Sequence, residues 1–254
     1  MKHIVLFSGG IASFMAAKRV VETHGKDNTI LLFTDTRAED EDLHRFIIDA
    51  VAHLKCEYLK IEDGRNIWQV FNDVKFMGNN RIDPCSRILK RDLFKKWLKA
   101  NYQPDQCTLH YGINWDEIHR LDTLQKRWQP YNVSAPLCEK PYIDKLQMFE
   151  YLDTIGIKPP RLYGMGFMHN NCGGFCVKSG QAQFKMLLEK MPARYQYHED
   201  QQERLFSNLG KRNGFIRMQT LGELRYLGLK EFREILESKE QIDELDFGGC
   251  ACFA

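Results

Sequence analysis

The chain opens on alternating apolar runs and amphipathic stretches. Residues 2–7 predict a buried strand, Ser8-Gly9-Gly10 a tight turn, and residues 12–22, Ala-rich with apolar side chains at helical spacing, a helix. A second apolar run at 28–33 ends in Thr34-Asp35-Thr36. Residues 39–54 predict a helix with Leu43, Phe46, Ile47, Ala50, Val51 and Leu54 along one face. Residues 56–61 predict a third strand. Strand, helix, strand, helix, strand implies parallel pairing through right-handed crossovers, so the expected fold class is α/β, a doubly wound and mostly parallel sheet.

The alternation continues less cleanly. Helices are expected over 86–100, 115–128 and 145–154, a strand over 107–111 leading to Gly112, and a proline-punctuated connection over 130–141. From residue 178 on the pattern is helical, over 181–190 and 229–236, with a polar, charged stretch over 195–203 between them. The expected division is an α/β domain with a cysteine site over 1–180 and a helical C-terminal extension over 181–254, ending in a Cys-x-Cys tail.

Composition narrows the class. Hydrophobic residues make up 43% and aromatics 12% of 254, which excludes a disordered or collagen-like chain. Lys and Arg number 36 against 34 Asp and Glu, so a generally polycationic coat is excluded while a local basic patch is not. No stretch approaches the roughly 18 apolar residues of a membrane span, and the apolar run Ile4 to Phe7 is too short for a secretion signal. No membrane partner and a cytoplasmic location are therefore expected. In a reducing compartment, eight cysteines are read as buried thiols, metal ligands or catalytic groups rather than disulfides.

The first chemical signal is strand, then Ser8-Gly9-Gly10-Ile11-Ala12-Ser13, then helix. Two glycines let a ligand approach the backbone, and the following helix offers unpaired N–H groups and a positive dipole end; Ser8 and Ser13 add hydroxyls. The run is neither the dinucleotide-binding GxGxxG nor the Walker loop. It resembles the SGGxxS pyrophosphate-binding loop of the PP-loop ATP pyrophosphatase and adenine nucleotide α-hydrolase-like superfamily. Many ATP-splitting members carry Asp immediately before the final Ser, where this chain has Ala12. Asp35, at the end of the second strand, is the candidate to compensate, or else caps the turn that follows it.

Within that superfamily the chain is most similar to the phosphoadenosine phosphosulfate reductase-like branch. The resemblance rests on Leu32-Phe33-Thr34-Asp35-Thr36, on Pro136-Leu137 and the helix around Phe149, and on Ile157 to Phe167 leading to Cys172 and Cys176. A further match is Gly112 followed by Glu117 and Arg120; together these cover about residues 4 to 180. The resemblance implies an adenine nucleotide (ATP or another) with Mg2+, bound by Ser8, Gly9, Gly10, Ser13, Asp35, Thr36, Gly112 and Arg120.

Relatives holding a [4Fe–4S] cluster use a cysteine pair plus upstream cysteines. Here the pair is Cys172-Gly173-Gly174-Phe175-Cys176, and Cys85 lies upstream in Asp83-Pro84-Cys85-Ser86-Arg87-Ile88-Leu89-Lys90, which resembles an element of the DNA-phosphorothioation and thiolation branches. Three thiolates select Zn, Cu(I) or an iron–sulfur cluster over hard cations. The expected cofactor is a [4Fe–4S] cluster, with zinc as the alternative, held by Cys85, Cys172 and Cys176 and a fourth ligand from Cys138, Cys250 or Cys252, or with a substrate or sulfide in that place. Buried thiols with no metal are the plainer reading. The tail Gly248-Gly249-Cys250-Ala251-Cys252 resembles the mobile tail of sulfonucleotide reductases, which delivers a nucleophilic cysteine, although the family's Glu-Cys-Gly-x-His signature is missing. Cys250, Cys252 and Lys178 are the candidate catalytic residues.

Arg87, Arg91, Lys95 and Lys99 recur every four residues, opposite an apolar face containing Leu89, Leu93, Phe94, Trp97 and Leu98. A solvated face is the ordinary reading of such a stripe. Arg87 and Lys90, beside Cys85, are the candidates for contact with an anionic substrate. His169, beside Asn170 and Asn171, is either a substrate contact or an ordinary loop histidine.

The resulting expectation is a PP-loop enzyme that adenylates a carbonyl on a nucleobase or small molecule for sulfur or nitrogen insertion. The alternatives are a sulfonucleotide reductase releasing sulfite and a non-catalytic nucleotide-binding module of a complex. A nucleic-acid or nucleobase acceptor and a sulfur-donor protein are the partners this implies, and a homodimer is one option for assembly.

Overall fold

The computed structural model describes residues 1–79, 81–220 and 223–249. The alternation seen at the start of the chain becomes β1 (Lys2–Leu6), α1 (Ile11–His24), β2 (Thr29–Asp35), α2 (Glu41–Leu54), β3 (Glu57–Glu62) and α3 (Ile67–Asp73). Next come α4 (Pro84–Ser86), a π-helical segment Arg87–Asp92, α5 (Leu93–Asn101), β4 (Cys107–Tyr111), a 3-10 turn Trp115–Arg120, α6 (Leu121–Trp128) and β5 (Asn132–Ser134). The remainder is α7 (Lys145–Thr154), α8 (Arg161–Gly164), α9 (Gln181–Lys190), α10 (Pro192–Leu209), the strands β6 (Ile216–Thr220) and β7 (Glu223–Leu227), and α11 (Leu229–Glu237).

The main sheet has five parallel strands in the order β3-β2-β1-β4-β5, the α/β arrangement expected. Parallel strands covered on both faces read as continuous apolar runs, and all seven residues of β2 are buried. Val5, Phe7, Leu31 and Phe33 pack with Phe14, Ala17 and Val20 of α1, Phe46 and Ala50 of α2, and Leu152 of α7. Ile4, Leu6, Leu32 and Leu109 face the other way, onto Phe94 and Leu98 of α5 and Leu124 and Trp128 of α6. The two-residue period of a strand divides these sets.

A third apolar cluster joins α3 to the C-terminal elements, with Trp68 and Phe71 packed among Phe175, Phe184, Tyr195, Phe215, Leu229 and Phe232. The buried Tyr195 hydroxyl donates to the Leu229 carbonyl at 2.7 Å, so the helical C-terminal part is stitched together through a satisfied polar group.

Four local readings are corrected. The polar stretch 195–203 lies inside α10, whose buried face carries Tyr195, His198, Gln202 and Leu205. β6 and β7 form an antiparallel hairpin where helix was read. The helix of 86–100 is interrupted by the π-helical segment, and that of 115–128 begins as a 3-10 turn.

Candidate functional site

β1 lies between β2 and β4, so the chain runs off in opposite directions from adjacent strands. A crevice opens at such a switch point, outside the carboxyl ends of the strands. Here it is a cleft of about 400 Å3, lined by Ser8, Gly10, Ser13, Gly112, Arg120 and Asn170 among others.

The sequence shapes its floor directly. Gly9 has φ +75, and a Cβ there would run into Leu43 of α2, so only glycine lets the chain turn this close to the helix. Gly10 is the N-cap of α1; no side chain caps the helix and no acidic residue stands in its first turn. The first amides of a helix have no intrahelical partner, and these open on the cleft beside the dipole's positive end. The Ser13 hydroxyl donates to the Gly10 carbonyl at 2.8 Å, and the Ser8 hydroxyl to Ser13 Oγ at 3.2 Å. Gly112 closes the other wall. A Cβ there would lie 2.6 Å from Ser13 Cα and 2.7 Å from Ser13 N, so β4 is pressed against the start of α1.

Two polar groups point to a ligand. Arg120 pairs with Glu117 through Nη1, yet its Nε is buried with no hydrogen-bond partner among the described residues. Asn170 is 2% exposed, and neither its Oδ1 nor its Nδ2 has such a partner. A buried amide left wholly unsatisfied is costly, and both groups line the cleft. His169 and Asn171 line it as well. Glu117 is the one carboxylate among its described lining residues, which makes it the Mg2+ candidate that Ala12 cannot be.

Asp35 is placed elsewhere. Its Oδ1 accepts from the Arg37 amide at 2.8 Å and its Oδ2 faces Lys60 Nζ at 3.3 Å, so it caps its own turn. Thr36 faces a second pocket, donating to Glu39 Oε1 at 3.1 Å.

That second pocket is narrow and adjoins the first. Cys85, Cys172 and Cys176 line it together with Asp83, Lys90 and Lys178. Cys172, Gly173 and Gly174 are all left-handed, with φ 50, 59 and 87. The turn curls the chain so that both cysteines reach one pocket, and Cys172 bears the strain of a non-glycine residue there. Three bonds hold it: the Cys172 amide donates to Glu39 Oε2 at 2.7 Å, Arg194 Nη1 to the Gly173 carbonyl at 2.9 Å, and Gln183 Nε2 to the Gly174 carbonyl at 2.9 Å.

Lys90 lines both pockets. Its side chain is 4% exposed and its Nζ stands 3.5 Å from Glu39 Oε1, itself 3% exposed. Lys90 lies in the π-helical segment, wound i→i+5 in place of i→i+4, and is turned inward. Arg87 stays exposed and lines neither pocket. Arg91 and Lys178 both face Asp83, at 2.8 and 3.7 Å.

Cys138 is a correction to the ligand set. Its thiol donates to the carbonyls of Ile113 and Asn114 at 3.7 and 3.5 Å, within the cluster around β4 and α6. The 3-10 turn Pro136–Cys138 tucks it there, outside the cysteine pocket. Burial raises its pKa, and pushes those of Cys56 and Cys107 up to about 11, the behaviour of unreactive thiols. Cys250 and Cys252 lie outside the described residues. The chain before them, Gly248 and Gly249, runs along the cleft at the start of α1, and the Gly249 amide donates to the Lys178 carbonyl at 3.1 Å.

No protein-family model matches the sequence. The chain is 25% identical over 173 residues to the uncharacterized protein MJ0066 of Methanocaldococcus jannaschii, a match covering 66% of this chain and 35% of that protein. The chain thus spans about a third of that relative's length. Three solved structures share parts of the fold. A phosphoadenylyl-sulfate (PAPS) reductase from Candida auris, in a phosphate complex, is 11% identical with a TM-score of 0.43, over 66% of this chain and 79% of its own. An NMN synthetase from Francisella tularensis is 15% identical with a TM-score of 0.40, over 62% of each chain. An NH3-dependent NAD synthetase from Campylobacter jejuni is 15% identical with a TM-score of 0.38, over 83% of this chain and 82% of its own. Among the described residues, no helix is long and apolar enough to cross a membrane.

Proposed function

We propose that this chain is a PP-loop enzyme that binds ATP in the cleft at the start of α1 and uses it to adenylate a carbonyl acceptor. One observation carries the reading: the uncapped amides of α1, the unpartnered Nε of Arg120 and the unsatisfied amide of Asn170 all converge on one cleft at the switch point. Helix amides and an arginine suit polyphosphate oxygens, and an amide with one donor and one acceptor side suits a purine edge or ribose hydroxyl.

In this reading the acceptor's carbonyl oxygen attacks the α-phosphorus. A P–O bond forms as the bond to the bridging oxygen breaks, and pyrophosphate departs with that electron pair. A sulfur or nitrogen nucleophile then adds at the activated carbon, AMP leaves with the former carbonyl oxygen, and the nucleophile's proton passes to water. The amides of α1, Arg120 and Lys90 hold the polyphosphate and offset the charge on the departing pyrophosphate, while Glu117 positions Mg2+. The donor set of Cys85, Cys172 and Cys176 fits a soft metal, iron–sulfur or zinc. Held by these three thiolates, such a centre would supply a place to hold sulfur.

A second reading is sulfonucleotide reduction, favoured by the passage of Gly248 and Gly249 along the same cleft. A tail thiolate would attack the sulfate sulfur, the nucleotide would leave on its phosphate oxygen, and a second thiol would release sulfite from the enzyme S-sulfonate as a disulfide.

The test is calorimetry of the full chain, prepared without oxygen, with Mg-ATP and with phosphoadenosine phosphosulfate, followed by assay of pyrophosphate and of sulfite. Heat with ATP is expected, and pyrophosphate release once a carbonyl acceptor is supplied. Sulfite would favour the second reading, and ATP binding without turnover in the presence of carbonyl acceptors a nucleotide-binding module. No heat with either nucleotide overturns the proposal.

A further inference from the structure

Away from both pockets, on the α1 side of the sheet, three histidines far apart in sequence come together. His3 lies in β1 and His110 in β4, with Val5 opposite His110 in the parallel register. The two are therefore diagonal neighbours on one face of adjacent strands, and both are buried, 5% and 3% exposed. His24, in the last turn of α1, lays its ring over His3 with centroids 3.6 Å apart and planes 7° apart. His3 Nδ1 and His110 Nε2 stand 3.0 Å apart, and one ring nitrogen from each of the three lies within 4.8 Å of the others.

The protein does not satisfy this group by itself. The His3–His110 contact is a single N–H···N bond, and His110 Nδ1 is buried with no partner among the described residues. Burying imidazoles without full hydrogen bonding is unfavourable, and the apolar core beside them gains nothing from their polarity. A shared cation would replace one hydrogen bond by three bonds to nitrogen.

His24 ends α1, where the backbone carbonyls make the negative end of the helix dipole. Of the cationic side chains in the adjoining cleft, Arg19 Nη1 donates to the carbonyls of Pro136 and Glu139 at 2.8 and 3.0 Å, and Lys18 pairs with Glu22 at 2.6 Å. His24 and His110 also line a cleft of about 710 Å3, which gives the site access to solvent.

We propose that His3, His24 and His110 form a binding site for a divalent transition cation of the zinc class. Three imidazoles with no thiolate suit Zn2+, Ni2+, Co2+ or Cu2+ and exclude Mg2+ and Ca2+. Three protein ligands with the fourth position toward a solvent-filled cleft is the arrangement of an open zinc site. The site ties β1, β4 and α1 together at the end of α1 opposite the glycine turn, and it is independent of the nucleotide reading.

The test uses ZnCl2 and CoCl2 on the full chain and on His24→Gln and His110→Gln. Zn2+ is expected to bind the native chain and to raise its melting temperature. His24→Gln is expected to weaken binding by more than about tenfold, since even loss of a second-shell partner costs 10–100-fold. The melting curve of His24→Gln without metal establishes that this variant folds. The Co2+ complex separates the histidines from the cysteine pocket, because thiolate ligation adds strong near-ultraviolet charge transfer and imidazole ligation does not. Visible ligand-field bands without that charge transfer, lost in His24→Gln, support the site. Zn2+ affinity unchanged in both variants, or a Co2+ spectrum from thiolates alone, overturns it.

Discussion

Gly112→Ala is expected to lower affinity for Mg-ATP by at least about tenfold while the chain still folds. The added methyl would sit 2.6 Å from Ser13 Cα, 2.7 Å from Ser13 N and 3.0 Å from the Ala12 carbonyl carbon, and all three atoms are backbone. A side chain could swing aside, but here the start of α1 has to move away from β4. The amides proposed to hold phosphate move with it, and a hydrogen bond to a charged group contributes about 1.5–3 kcal/mol, where about 1.4 kcal/mol is tenfold. Calorimetry with Mg-ATP measures the loss. Gly164→Ala is the control, since a Cβ there meets nothing within 4 Å; it should bind as the native chain does. Equal affinity in Gly112→Ala and the native chain would show that the cleft does not depend on this contact.

Lys90→Met should destabilise the fold by about 3–5 kcal/mol, the usual cost of removing one partner from a buried ion pair. It would strip the cation from beside Glu39, a carboxylate only 3% exposed. Glu39 accepts from the Cys172 amide and from Thr36 Oγ1, so an uncompensated charge there also strains the turn that presents the cysteines. Adding Glu39→Gln to Lys90→Met should recover part of the loss, because a neutral amide is less costly to bury than a lone carboxylate. Urea unfolding reads both effects as shifts of the midpoint at constant slope. A Lys90→Met midpoint equal to the native one would mean the pair contributes no net stability.

Short-range pattern made much of this legible. The glycine turn, the first three strands and the face of α2 are each written within a dozen residues, where period and turn chemistry are local. The family resemblance, not local pattern, put Gly112 and Arg120 beside that turn and Cys85 with Cys172 and Cys176. What escaped depends on distance or on a change of winding. Nothing in residues 86–100 announces the π-helical segment that buries Lys90 and leaves Arg87 in solvent. Asp35 reads either as compensating for Ala12 or as capping its own turn, and the Arg37 amide and Lys60, on the neighbouring strand, favour the cap. Cys138 read as a spare ligand because no local signal shows that its thiol turns to the Ile113 and Asn114 carbonyls. The hairpin of β6 and β7 is two five-residue strands in a polar context, too short to outweigh flanking helices. His3, His24 and His110 span 107 positions, and only the register of β1 against β4 brings them within reach.

β1 precedes its neighbours in the chain and lies in the middle of the sheet. As the chain leaves the ribosome, β2 can zip onto one side of β1 almost at once, yet the other side stays bare until residues 107–111 arrive. During that interval an exposed strand edge invites wrong pairing. The wall that Gly112 contributes does not yet exist either. The nascent chain therefore passes through a stage with half a sheet and no cleft, and that stage is when it most needs protection from its neighbours.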